Sequence, residues 1–290
     1  MGVIAMAEYE PLFSAGHSAC AGCTMPIVIR HVLDILGSDT VVVNATSCSE
    51  IISTPYPRTS WRVPYIHSLF ENTGAVASGV VNALRAQGND HTQVMIVGGD
   101  GSTYDIGFGA ISGMLERNED VLYVCYDNEA YMNTGVQRSG ATPFGARTTT
   151  SPLGKAHHGK EIFKKPIVDI VAAHKVPYVA SASIGYPADL AAKVRKAKAL
   201  RGSRFLDVLA PCIPGWGISP ESGIAIAKLA VDTGIWKLVE YEYGKMKLTM
   251  KPAQRKPVKD YLSQQARFRH LKDEDFAAIQ AKVDEEWKTL

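Results

Sequence analysis

Short, unbroken apolar runs alternate along this chain with stretches of helical periodicity, and that alternation restricts the fold more than any other feature. The runs at 41–45, 94–97, 121–126 and 204–210 are too short for helices and show no polar alternation. Strands that are apolar on both faces need cover on both faces, which is the condition of a parallel sheet wrapped by helices. Helices are expected at 26–36, 74–87, 104–117, 166–174, 187–200 and near 220–232, with a further strand at 176–181 and an apolar run at 235–239. Pro26 in the first turn and Gly37 after the end bound the first helix. Tyr104, Phe108, Ile111 and Leu115 share one face of another. The reading is an α/β fold with a doubly wound, mostly parallel sheet. The segment from 46 to about 70 reads as a loop rich in Pro and Ser, and 128–165 as an irregular stretch too long for a passive connection. Lys245, Lys247, Lys251, Arg255, Lys256 and Lys259 lie on what reads as an arm leaving the domain, followed by a charged amphipathic helix at 273–290.

Charge and hydropathy exclude several classes. There are 31 Lys and Arg against 29 Asp and Glu, a net charge of +2, too small a basic excess for a general nucleic-acid binder. Hydrophobic residues reach 46%, which rules out disorder of the whole chain. No apolar run approaches the ~20 residues that span a bilayer. The start, residues 1–8, lacks the basic and apolar regions of a secretory leader, and Met6 stands where a myristoylation signal needs Ser or Thr. The expectation is a cytoplasmic protein whose partners are neither nucleic acid nor membrane.

Chemistry concentrates after two of the strands. Gly98-Gly99-Asp100-Gly101-Ser102 joins the strand at 94–97 to the following helix. Glycines at such a turn let backbone approach a ligand, and the helix start offers N–H groups to phosphate. An Asp facing a phosphate repels it unless a cation lies between, so Asp100 reads as a Mg²⁺ ligand. Asp127-Asn128-Glu129-Ala130 ends the next strand, where the Asn128 amide oxygen and a loop carbonyl could reach the same ion.

The cysteines number five, an odd count that argues against a disulfide framework in such a chain. Cys20-Ala21-Gly22-Cys23 is compatible with zinc, a redox pair, an iron–sulfur cluster or no site at all. Cys48 and Cys212 each follow a strand, at the edge where open parallel sheets bind ligands. Cys125 lies inside a strand and reads as core. Cys20, Cys23, Cys48 and Cys212 are therefore candidate ligands, while spacing alone leaves open that all are isolated thiols.

Gly99-Asp100-Gly101 with downstream Asn128 resembles the thiamine diphosphate motif. The longer strings Gly99 to Gly109, Tyr131 to Gln137 and Thr142 to Ala146 are more particular. With Gly16 to Cys23, Cys48-Ser49-Glu50 and Phe70-Glu71-Asn72, they resemble the β subunit of 2-oxoacid:ferredoxin oxidoreductases of the pyruvate:ferredoxin oxidoreductase type, over roughly residues 14 to 270. The resemblance implies a thiamine-diphosphate-binding α/β domain with an N-terminal cluster-binding segment over 1–240. It implies a C-terminal arm and helix packing on partner subunits over 241–290. It implies a [4Fe–4S] cluster on Cys20, Cys23, Cys48 and Cys212, and Mg²⁺ on the Asp100 carboxylate, the Asn128 side chain and the Ala130 carbonyl. Diphosphate contacts map to Gly99, Gly101, Ser102 and Thr134, and the catalytic candidate, Asn133, maps to a residue facing thiazolium and substrate.

The implied reaction is oxidative decarboxylation of a 2-oxoacid, with electrons passing through the cluster to ferredoxin and the acyl group to coenzyme A. The proton-relaying carboxylate is expected from a partner chain, and Glu50 and Glu71 read as structural. The chain would act only with its other subunits: alpha, gamma and a ferredoxin-like delta. Thr24-Met25 departs from the Gly and acid that often follow this C-x-x-C, which counts against a role for that acid near the cofactor and against pyruvate in particular. Pyruvate still stands first as substrate, ahead of 2-oxoisovalerate, phenylglyoxylate and oxalate, since the discriminating pocket is expected largely in another chain. Arg147 and Thr148-Thr149-Thr150-Ser151 resemble the separate-subunit branch. Two other readings stand beside this one. A zinc-binding structural subunit would leave Asp100 and Asn128 idle, and a non-redox thiamine enzyme would have no use for a cluster.

Overall fold

A computed structural model describes residues 10–155, 157–288 and 290; the start read as leaderless, residues 1–8, lies outside the described residues. The strands are β1 (Thr40–Ala45), β2 (Tyr65–Ser68), β3 (Gln93–Gly99), β4 (Val121–Asp127), β5 (Tyr178–Ser183), β6 (Arg204–Leu209), β7 (Leu238–Glu242) and β8 (Lys245–Met250). They form one sheet in the order β2-β1-β3-β4-β6-β5-β7-β8. Pairing is parallel from β2 through to β5, and antiparallel where β7 and β8 extend the edge.

The apolar strands need two covers and receive them. Met95, Val97, Leu122 and Val124 pack with α1 (Met25–Leu36) and α6 (Pro187–Ala199). The alternate residues Val94, Ile96, Tyr123 and Cys125 pack with α3 (Thr73–Ala86), α4 (Phe108–Glu116) and α5 (Ile167–Ala172). Packing decides the helices more than propensity does. α1 carries the β-branched run Ile27-Val28-Ile29, poor for a helix. Yet Val28, Ile29, Val32 and Leu33 are fully buried, each worth ~1.5–3 kcal/mol. A third core gathers Trp216, Trp236 and Leu238 with α8 (Gly223–Asp232), α9 (Val258–Leu262) and α10 (Asp273–Trp287).

Several boundaries differ from expectation. The loop at 46–70 contains α2 (Cys48–Ser53) and the edge strand β2. The helix expected over 104–117 is two pieces. Wide π-type turns run over Gly101–Ile106, with the Gly107 N–H donating to the Ser102 carbonyl at 2.9 Å, and α4 follows. A Cβ at Gly107 would sit 2.4 Å from that carbonyl oxygen, so the break needs glycine. β5 and β7 start later than 176 and 235. The basic segment does not leave the domain at once: Lys245–Met250 is β8, pairing with β7, and its exposed lysines suit an edge strand.

Strand order positions the site. β1, β3, β4 and β6 are consecutive neighbours, so the residues after their carboxyl ends, Cys48, Asp100, Asn128 and Cys212, come to one rim. The chain leaves β1 outward for β2 and returns on β1's other side as β3. Such a reversal opens a crevice at the strand ends.

Candidate active site

The crevice is a cleft of about 410 Å³, counting its open mouth, lined by Cys48, Phe70, Asp100, Asn128, Met132 and Asn133 with their neighbours. Its floor is the turn after β3. Tyrosines fill the directions in which Cβ atoms would point there. A Cβ on Gly101 would lie 2.3 Å from the Tyr131 ring, and one on Gly98 2.5 Å from the Tyr123 hydroxyl. The glycines are thus required by aromatic packing behind the turn, which leaves the backbone of Gly99 and Gly101 on the cleft wall.

Three polar groups converge beside that turn. The Asn128 side-chain amide lies 2.8 Å from Asp100 Oδ1 and 2.9 Å from the Ala130 carbonyl oxygen: with its nitrogen turned in it donates an N–H to each, and with its oxygen turned in, three oxygens face one point. Acceptors so spaced repel unless a cation joins them. Mg–O bonds of ~2.0–2.1 Å place adjacent octahedral oxygens ~2.8–3.0 Å apart, so the donor set fits Mg²⁺. Burial, then the nearby Asp127 carboxylate, pushes the Asp100 carboxyl well above the usual range, against the pull of the Ser139 hydroxyl, which donates to Oδ2 at 2.5 Å. A cation on Oδ1 would favour the ionised form.

The backbone achieves this convergence through strain at Glu129. Its φ is +69°, a left-handed conformation that costs a non-glycine residue ~1–2 kcal/mol. It turns Ala130's carbonyl back toward the Asn128 side chain. Glu129 is held by the Lys164 ammonium at 3.2 Å and by the Arg267 guanidinium. Burial raises its pKa, but those two cations outweigh burial and hold it below the usual range. Lys164 also lies 2.5 Å from Asp127. Behind it the Tyr104 hydroxyl lies 2.8 Å from Asp127 and 2.6 Å from Asp207.

The cysteine turn is pinned against the segment that carries Cys212. Cys23 N–H donates to the Cys20 carbonyl at 3.0 Å. Gly22, at φ +77°, sits where a Cβ would come within 2.2 Å of the Pro220 carbonyl oxygen. The Thr24 hydroxyl donates to the Pro211 carbonyl at 3.0 Å, so the residue departing from the family pattern has a local task. Cys212 leads into α7 (Ile213–Trp216), whose Trp216 N–H donates to the Cys212 carbonyl at 2.9 Å. Burial first, and then the charge of neighbouring cysteines, push the Cys48 and Cys212 thiols up to about 12. The sulfurs of 20, 23, 48 and 212 therefore lie in one another's field, and thiolates there call for a metal's charge. Among the described residues, no three His, Cys, Asp or Glu side chains form a group that could hold a metal ion. A cluster spreads its thiolates wider than a single zinc, with its ~2.3 Å bonds, does. Cys125 is fully buried in the core.

The cleft brings together Gly99, Asp100, Gly101, Ser102, Asn128, Ala130, Asn133 and Thr134 with Cys48. Two of these hydroxyls have protein partners: Ser102 donates to the Phe70 carbonyl at 2.7 Å and Thr134 to the Gln137 side chain at 2.5 Å. Glu50 accepts from Thr54 at 3.0 Å and Glu71 is exposed. Asp100 is the single carboxylate among the lining residues. Sequence reasoning missed Ser139, Lys164, Trp216 and Arg267. The unusual length of 128–165 was a signal for the first two, and nothing local marks the others.

Residues 45–208 match the family described as thiamine pyrophosphate enzyme, C-terminal TPP binding domain. The chain is 52% identical over 288 residues to pyruvate synthase subunit PorB of Methanocaldococcus jannaschii, covering 97% of each. It is 45% identical over 289 residues to ketoisovalerate oxidoreductase subunit VorB of Pyrococcus furiosus, covering 97% of this chain and 93% of that one. A solved 2-oxoglutarate:ferredoxin oxidoreductase from Magnetococcus marinus, with 2-oxoglutarate, coenzyme A and succinyl-CoA bound, aligns with a TM-score of 0.58 at 18% identity over 93% of this chain and 94% of that one. At that identity the likeness is one of fold.

Proposed function

Because the chain belongs to the thiamine pyrophosphate enzymes and, within them, to the β subunits of 2-oxoacid:ferredoxin oxidoreductases, we propose that it binds Mg²⁺–thiamine diphosphate and a [4Fe–4S] cluster at one rim. There it serves the oxidative decarboxylation of pyruvate, with electrons leaving through the cluster to ferredoxin and the acyl group to coenzyme A. The observation that carries this is Cys48, a candidate cluster ligand lining the same cleft as Asp100 and Asn128. Thiamine diphosphate supplies the electron sink that decarboxylation needs, and an iron–sulfur cluster takes electrons singly.

The chain's own residues bind and orient. Asp100, Asn128 and Ala130 hold the metal, and the backbone of Gly99 and Gly101, with Ser102 and Thr134, faces the diphosphate. Asn133, on the same cleft wall, would face the thiazolium and substrate. Phe70 and Met132 present apolar surface that excludes water. Asp100 is the single carboxylate among the lining residues, which supports the reading that the proton-relaying acid comes from a partner subunit. Other subunits (alpha, gamma and a ferredoxin-like delta) complete the enzyme, and a cytoplasmic setting suits the chemistry. Among the described residues no helix is long and apolar enough to cross a membrane.

A second substrate, 2-oxoisovalerate, is favoured next by the likeness to VorB. The test is a panel of 2-oxoacids on the purified complex with its partners, scored by coenzyme A-dependent reduction of ferredoxin or a viologen dye. Pyruvate should give the highest kcat/KM. Decarboxylation without dye reduction would indicate a non-redox thiamine enzyme, and one colourless zinc in place of iron and sulfide would indicate a structural subunit.

A further inference from the structure

The metal turn and the cluster turn lie on different elements, yet one buried side chain touches both. Arg267 comes from the C-terminal segment, far along the chain from either, and is 4% exposed. Its guanidinium pairs with Glu129, the strained residue between the two metal-facing residues Asn128 and Ala130. The same planar group lies 4.0 Å over the ring of Trp216, which closes the helical turn begun at Cys212. Trp216 completes the circuit, since its Nε1–H donates to the Asn128 carbonyl at 2.8 Å. Gln265 fixes the guanidinium from behind, accepting from its Nε at 2.9 Å.

We propose that Arg267 is a positioning residue that locks the Asn128–Ala130 turn and the Cys212 turn to each other, so that metal affinity and cluster environment are set together. The inference rests on the function proposed above. Its two contacts divide by chemistry: the charge serves Glu129, and the flat, stackable face serves Trp216. Lys would keep the first and lose the second.

The experiment uses the purified complex. Mg²⁺ and thiamine diphosphate are stripped with EDTA, rebinding of thiamine diphosphate at fixed Mg²⁺ is followed by titration calorimetry, and the dithionite-reduced cluster is examined by electron paramagnetic resonance. Arg267→Met should weaken rebinding roughly tenfold, as loss of a group supporting metal ligands does, and alter the cluster spectrum. Arg267→Lys should regain most of the affinity while the spectrum stays altered. Trp216→Phe keeps a ring under the guanidinium but loses the hydrogen bond to Asn128, and should weaken rebinding with the spectrum retained. If Arg267→Met does not assemble, the other two variants carry the test. Rebinding within about twofold of wild type and an unchanged spectrum in these variants would overturn the proposal. A wild-type complex that takes up neither thiamine diphosphate nor iron would instead overturn the function on which it rests.

Discussion

Gly101→Ala is the sharpest probe of the cleft floor. The new Cβ would lie 2.3, 2.6 and 2.6 Å from three atoms of the Tyr131 ring, so the ring must retreat by about 1 Å to reach ordinary contact. That movement strains two hydrogen bonds of the Tyr131 hydroxyl, to the Gly101 carbonyl at 3.1 Å and to Asp105 at 3.2 Å. Overpacking costs ~1–3 kcal/mol and each lost hydrogen bond ~0.5–1.5 kcal/mol, about 2–6 kcal/mol if all are lost. The ring also leans on Phe70, with centroids 5.8 Å apart, so the opposite wall shifts too. Gly109→Ala is the control. It lies in α4 with nothing within 4 Å of its added Cβ, and alanine should gain up to ~1 kcal/mol there. Thermal unfolding and thiamine diphosphate binding of the complex are the assays. Gly101→Ala should lower both and Gly109→Ala neither. A Gly101→Ala protein matching wild type in both would refute the packing argument.

Iron and sulfide analysis should find about four iron per chain in Cys125→Ser, as in wild type, and a depleted or damaged cluster in Cys48→Ser; equal loss in both would overturn the division of the cysteines. Lys164→Met removes a cation shared by buried Asp127 and Glu129, and should cost ~3–5 kcal/mol in stability, read as a fall in melting temperature. Asp207 is pushed up to about 7, first by burial and then by Asp127. A raised carboxyl makes the folded state the better proton binder, so its penalty is absent below ~3.9 and grows as pH rises to about 7. The melting advantage of Asp207→Asn over wild type should therefore widen from about pH 5 to about pH 8, and a constant gap would contradict it.

The sheet was legible because apolar strands and amphipathic helices leave separate periodicities, and Asp100 and Asn128 because each stands at a strand's end. The reasons were less legible. Glycine at 101 answers to Tyr131, a contact that local sequence does not show. β6 inserts between β4 and β5, and that crossover brings Cys212 beside Asn128; chain order alone would place it farther away. β2 has few residues to carry a pattern, and β8 was hidden because its lysines suit a solvated arm as well as an edge strand. Buried charges such as Lys164 and Arg267 look like any surface cation until folding pairs them with Asp127 and Glu129.

The shared rim itself can be measured. On the proposed function, Mn²⁺ substituted for Mg²⁺ would place a paramagnet at the oxygens of Asp100, Asn128 and Ala130, and the reduced cluster would provide a second. The three strand gaps from β1 to β6 span only ~14 Å. Pulsed electron paramagnetic resonance of the Mn²⁺-loaded, dithionite-reduced complex should show faster relaxation of the cluster signal than the Mg²⁺ form does. Identical relaxation with both metals stoichiometrically bound would mean that the two centres do not share this rim.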